Sequence, residues 1–145
     1  MCVIRLTEPL EFKSSAVQPA DFSTRAYNSD NFTVTAVGWS SPLSVPQKID
    51  LTSVEIKECK RLAKGKWTHV NDQTVSCTVQ NPFQEVDVGG PILFRTNKGQ
   101  FGVMGLLEYV GSPKVPAIYT KISVVWTWIQ NVAFSVCPTP ISILD

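Results

Sequence analysis

The sequence predicts an all-β fold closed by one C-terminal helix. Two observations carry this. Seven short runs are alternating, apolar or rich in β-branched residues, and most are bounded by Gly, Pro or turn residues. Only two stretches, 55–64 and 123–132, place their apolar residues at helical spacing. With 145 residues the chain suits a single domain, and a chain of that size buries roughly 68–70% of its unfolded surface.

The elements follow in order. Val3-Ile4-Arg5-Leu6 is a short β-prone run, ended by Pro9, which lacks the N–H a ladder needs. Residues 12–31 are polar and irregular. Phe32-Thr33-Val34-Thr35-Ala36-Val37 reads as a strand closed by Gly38-Trp39-Ser40. Pro42 and Pro46 mark a loop. Ile49-Asp50-Leu51-Thr52-Ser53-Val54 alternates and forms the next strand, and 55–64 a short helix. On that helix Lys57, Lys60, Arg61 and Lys64 share one face, which reads as a solvated stripe, while Ile56, Cys59, Leu62 and Ala63 face a core. Thr74-Val75-Ser76-Cys77-Thr78-Val79 is a further strand. Residues 92–96 and 100–107 make a hairpin around Asn97-Lys98-Gly99. Residues 116–122 are the last strand. Ser123 then caps a helix with the apolar stripe Val125, Trp128, Ile129 and Val132. The tail from Cys137, with Pro138 and Pro140, reads as irregular.

Several functions are disfavoured. A net charge of +1 gives no whole-molecule case for nucleic acid. The longest nearly apolar stretch, 124–136, contains Thr127, Gln130, Asn131 and Ser135 and is too short to span a bilayer. Met1-Cys2-Val3-Ile4 runs straight into Arg5 with no signal peptide. Cys2, Cys59, Cys77 and Cys137 show no CxxC spacing, which argues against zinc, and neither metal nor cofactor is expected. Asn31-Phe32-Thr33 is a glycosylation sequon, usable in a secreted chain.

One stretch organises the rest: Val86-Asp87-Val88-Gly89-Gly90-Pro91, followed by Ile92-Leu93-Phe94. It resembles the Gly-Asp-Ser-Gly-Gly-Pro turn of the trypsin/chymotrypsin-like serine proteases (peptidase S1). Other segments resemble that family in the same order: Val3-Ile4-Arg5-Leu6 with its following proline, Val17-Gln18-Pro19-Ala20, Gly38-Trp39, Cys59 and Cys77, Pro116-Ala117-Ile118-Tyr119-Thr120-Lys121-Ile122, and Trp128-Ile129. The resemblance implies the C-terminal six-stranded antiparallel barrel of the chymotrypsin-like double-barrel fold plus a C-terminal helix, with the first barrel missing. It divides the chain into a remnant strand and linker (1–31), the second barrel with its helix (32–134) and a tail (135–145). It also implies a Cys59–Cys77 disulfide and a secreted, extracellular protein. Cys2 and Cys137 have no counterpart.

The family's chemistry needs a nucleophile, a base and a group that orients the base. Val88 stands at the nucleophile position and offers no oxygen. Val86 replaces the oxyanion-hole glycine. Aligning Arg5-Leu6 places the orienting Asp just before Met1, and the family's His falls in the missing half. His69, the only His, aligns between the paired cysteines and away from Val88. No catalytic residue is therefore assigned: 86–90 is a degenerate nucleophile turn. Asp87 orders the pocket in the family by pairing with an amine freed by activation. In this chain it is expected to bond nearby N–H groups. Pro82 or Phe83 falls near the specificity position, Gln84 replaces a pocket cysteine, Gly105-Leu106-Leu107 replaces Ser-Trp-Gly, and Ala117 replaces a wall glycine.

The reading is a non-catalytic homologue or a fragment of one, with a protein partner on the exposed inter-barrel face. The alternatives are the family label, serine-type endopeptidase by ancestry, and an unrelated enzyme using Cys2 or Cys137 with His69.

Overall fold

The computed structural model describes residues 2–12, 17–23, 31–39, 45–64, 73–110, 114–136 and 143–144. Among them are strands β1 (Asp21–Ser23), β2 (Phe32–Gly38), β3 (Gln47–Val54), β4 (Val75–Thr78), β5 (Pro91–Arg95), β6 (Phe101–Tyr109), β7 (Ala117–Lys121) and β8 (Ile143–Leu144). Helix α1 spans Ile56–Leu62 and α2 spans Ile122–Val136.

Six strands close on themselves in the order β5-β2-β3-β4-β7-β6, and β6 pairs back onto β5. Every pairing in this ring is antiparallel. The longest ladder joins β2 to β3, from Phe32 opposite Ser53 to Gly38 opposite Gln47. Irregularities at Ile92/Leu93 and Leu107/Tyr109 interrupt the ladders of β6 with β5 and β7, and such bulges sharpen the bend that closure needs.

Period-two alternation fills the barrel. Val34 and Ala36 of β2, Leu51 of β3 and Ile92 and Phe94 of β5 face one core with Met104, Leu107 and Tyr119. Tyr119 is fully buried, and its hydroxyl lies 2.6 Å from the Ser53 hydroxyl, which satisfies both. Its ring occupies the space that a side chain at position 105 would need: a Cβ on Gly105 would stand 2.4 Å from Tyr119 Cδ2. A second cluster under α1 gathers Val54, Ala63, Val75, Val115 and Ile118 around the Cys59–Cys77 disulfide. A third joins Val103, Ile122 and Trp126, with Phe22 and Ile129 against it.

Some elements depart from expectation. Residues 2–12 contain no strand, and Val3, Ile4 and Leu6 are exposed. A β-prone run forms a strand only with a neighbour to complete its ladder, and among the described residues no strand is laddered to residues 3–6. Conversely, β1 and β8 were not legible. The three-residue β1 pairs parallel to β6 at Asp21–Gly102, and the two-residue β8 pairs parallel to β1. Runs that short carry no period. Finally, α2 starts at Ile122 directly from β7, without a cap at Ser123. Its buried face is Ile122, Trp126 and the half-buried Ile129, whereas Trp128 stays 43% exposed. The angle at which β7 delivers the helix selects that face, and Trp126 meets the Phe22 ring at 5.8 Å between centroids.

Candidate functional site

The site is the turn between Asn81 and β5. Gln84 is extended, and Glu85–Asp87 make one 3-10 turn. Val88 is extended again at φ −60°, ψ 133°. Gly89 then takes φ +88°, a conformation glycine adopts without the steric penalty of a Cβ. Two backbone bonds pin the turn to β6: the Gly89 N–H donates to Leu107 O (2.8 Å), and the Leu107 N–H donates to Gly90 O (2.9 Å).

Asp87 anchors the turn from inside. It is 3% exposed, and each carboxylate oxygen accepts a backbone bond. Oδ1 accepts from the Trp39 N–H at 2.6 Å, and Oδ2 from the Gln84 N–H at 2.9 Å. The Gln84 side chain accepts in return from the Asp87 N–H, completing a reciprocal cap. The Gln84 N–H is the nearby partner expected of a turn aspartate, whereas the Trp39 N–H comes from the end of β2. Burial of a carboxylate costs several kcal/mol unless it is hydrogen-bonded, and charge-assisted bonds are the strong ones.

Two glycines make room for this arrangement. A Cβ on Gly38 would lie 2.4 Å from Asp87 Oδ1 and 2.8 Å from Asp87 Cγ. A Cβ on Gly90 would lie 2.8 Å from the Asp87 carbonyl oxygen. The Gly38-Trp39 pair, read from sequence as a strand end, thus also supplies the cleft and the donor for Asp87. Sequence reasoning did not join these two stretches, which lie 48 residues apart. The glycine immediately before an N–H donor was the available sign.

The two valines of the turn stand outside. Val88 is 47% exposed and Val86 67% exposed. Val88 borders an open depression of about 550 Å³ with Glu85, Glu108, Tyr109 and Val110. The Glu108 carboxylate is oriented by the Thr120 hydroxyl, which donates to it at 2.6 Å. Beneath it, Phe83 is buried in the barrel core with Val110, Leu107 and Ala117. Pro82, the other candidate for the specificity position, is exposed. Asn81 Nδ2 ties this region together by donating to Val110 O and, at 2.8 Å, to Val115 O.

The remaining sequence candidates are dispersed. Asn31 is exposed at the start of β2 with φ +58°. Cys59 and Cys77 are bonded, with Cα atoms 6.0 Å apart. Cys2 is exposed and unpaired. His69 and Cys137 lie outside the described residues, as do the loop residues 40–44. On α1 the basic stripe is partly neutralised: Arg61 Nε and Nη2 donate to the Glu58 carboxylate at 2.6 and 2.5 Å. That bond and the guanidinium charge hold the Glu58 pKa below its ordinary value. Among the described residues, no three His, Cys, Asp or Glu side chains converge as metal ligands, and no helix is long and apolar enough to cross a membrane.

The chain matches a family model described as Trypsin over residues 1–129. No curated protein matches it.

Proposed function

Since the chain belongs to the trypsin family, we propose that it is a non-catalytic member of it, a binding module that acts outside the cell. One observation carries the reading. The turn that resembles the family's nucleophile turn is held in shape, with both Asp87 carboxylate oxygens hydrogen-bonded and room left for them at Gly38 and Gly90, while the residue it presents is Val88.

The chemistry runs as follows. Acyl transfer in this family begins when a serine oxygen, deprotonated by histidine, attacks the scissile carbonyl. A valine side chain has no lone pair and no proton to lose. No base supplied from elsewhere changes that. The oxyanion that would form is stabilised by backbone N–H groups held close to it, and losing one such donor costs about 10²–10³ in rate. Val86 puts a branched side chain where the family has glycine. Whichever of Pro82 and Phe83 corresponds to the family's specificity position, neither carries a carboxylate for a basic side chain.

What the surface offers instead is contact area. Val86, Val88, Tyr109 and Trp39 are all exposed, and Glu85 and Glu108 flank the depression beside Val88. Apolar ground between two carboxylates suits a protein segment that carries a basic residue beside an apolar one. By resemblance, this surface lies on the face that the family's two barrels share. The Cys59–Cys77 disulfide supports an oxidising, extracellular setting.

The test is covalent labelling. The purified chain is treated with a fluorophosphonate probe and with an activated ester. The expected result is neither adduct nor burst. An adduct on any residue of 84–90, or ester turnover that Val88→Ala abolishes, overturns the non-catalytic reading.

A further inference from the structure

We propose that Asn31 is a site of N-linked glycosylation and that its glycan leaves the protein over the depression between the start of β2 and helix α1.

Asn31-Phe32-Thr33 is the only Asn-x-Ser/Thr triplet in the sequence, and both residues that the modification reads are presented to solvent. Asn31 and Thr33 are exposed, while Phe32 between them is half-buried against the core. The alternation of β2 explains this: Val34 and Ala36 point inward, so Thr33 points outward. Asn31 has φ +58°, a left-handed conformation that takes it out of the strand line and into a turn. Beside it lies an open depression of about 610 Å³, to which Lys57, Arg61, Leu62 and Val79 contribute. It has room for the first sugar residues, with Val79 offering an apolar surface and the charged side chains offering hydrogen bonds.

A second, independent observation fits the compartment in which the reaction occurs. The disulfide ties α1, on the wall of that depression, to β4. Disulfides form and persist in the oxidising secretory compartment, and N-linked transfer takes place there as well.

In the reaction, the Asn31 side-chain nitrogen forms a bond to the anomeric carbon of the terminal N-acetylglucosamine of a lipid-pyrophosphate-linked oligosaccharide. The bond from that carbon to the phosphate oxygen breaks. The lipid pyrophosphate leaves with the electron pair, and the amide gives up one proton. No oxidant or reductant enters. The Thr33 hydroxyl is the group that the transferase reads.

The experiment translates the full chain behind a cleavable leader in the presence of secretory microsomes and examines the protease-protected pool. Transfer acts on the nascent chain, so a variant that folds poorly still reports, and the exposure of Asn31 is what lets the folded barrel accommodate the glycan afterwards. The expected result is a slower-migrating band that a peptide N-glycosidase collapses, with Asn31 converted to Asp in its tryptic peptide. The band is absent in Asn31→Gln and Thr33→Ala and retained in Thr33→Ser. A protected parent chain without the glycosidase-sensitive band overturns the proposal. So does a band that persists in Asn31→Gln. Neither outcome bears on Val88, whose test is the labelling experiment.

Discussion

Gly38→Ala tests whether the turn depends on the cleft left for Asp87. The added Cβ would stand 2.4 Å from Asp87 Oδ1 and 2.8 Å from Cγ. Gly38 is held in the β2–β3 ladder opposite Gln47, so the strand cannot easily retreat. The cheaper relief is to swing the carboxylate away, which breaks its bonds to the Trp39 and Gln84 N–H groups. Each such charge-assisted bond contributes about 1.5–3 kcal/mol. Alanine in place of glycine restores about 0.4–1 kcal/mol by restricting the unfolded chain. The net loss is about 3 kcal/mol, which at a urea slope of about 2 kcal/mol/M lowers the unfolding midpoint by about 1.5 M.

The informative comparison is with Asp87→Ala and the double variant, each unfolded in urea with the disulfide intact and followed by tryptophan fluorescence. Asp87→Ala removes the carboxylate but keeps its own Cβ, which would lie 3.4 Å from the new methyl, an ordinary contact. The double variant is therefore expected to match Asp87→Ala alone, with a coupling of about 2–3 kcal/mol. Additive losses would refute the reasoning, and so would a Gly38→Ala midpoint within error of the parent.

Further outcomes are measurable on the same curves. Replacing both Cys59 and Cys77 by Ala removes a cross-link spanning 18 residues and is expected to cost about 3 kcal/mol in the chain-entropy model; a loss under about 1 kcal/mol would remove the disulfide from the account. Gly105→Ala places a Cβ 2.4 Å from Tyr119 Cδ2 and 2.9 Å from Thr120 O, and is expected to lose about 1–3 kcal/mol by overpacking, read as a lower thermal midpoint. Burial raises the pKa of Tyr119, against the weaker opposing effect of its bonds to Ser53 and Ser76. Above the ordinary tyrosine pKa of about 10 the unfolded chain releases a proton that the folded chain keeps, so stability falls as pH rises through that window. Tyr119→Phe should flatten this alkaline loss while costing about 1–3 kcal/mol at neutral pH, because the buried Ser53 loses its partner. Comparison with the parent cancels Lys121, whose pKa burial lowers and whose contribution has the opposite sign.

The sequence by itself determined the alternating strands, the hairpin around Gly99, the short helix and the motif order that marks the family. These features rest on local chemistry: period-two burial, φ preferences and turn residues act within a few positions of each other. It also gives valine at position 88 of the turn that resembles the family's nucleophile turn, since residue identity needs no coordinates. The tertiary structure decided the rest. Asp87 finds its donor on Trp39 and its space at Gly38 only after β5, which the turn leads into, pairs with β2. Between Pro82 and Phe83, the closed barrel decides that Phe83 is core, where Leu107, Val110 and Ala117 surround it, and that Pro82 is exposed. Trp126 rather than Trp128 is buried because β7 sets the rotation of α2 and Phe22 waits on β1. The strands β1 and β8 exist through pairing alone, and two or three residues of sequence hold no period from which to read them. Long-range contacts of this kind are a property of the closed ring, and no window of the chain contains both partners.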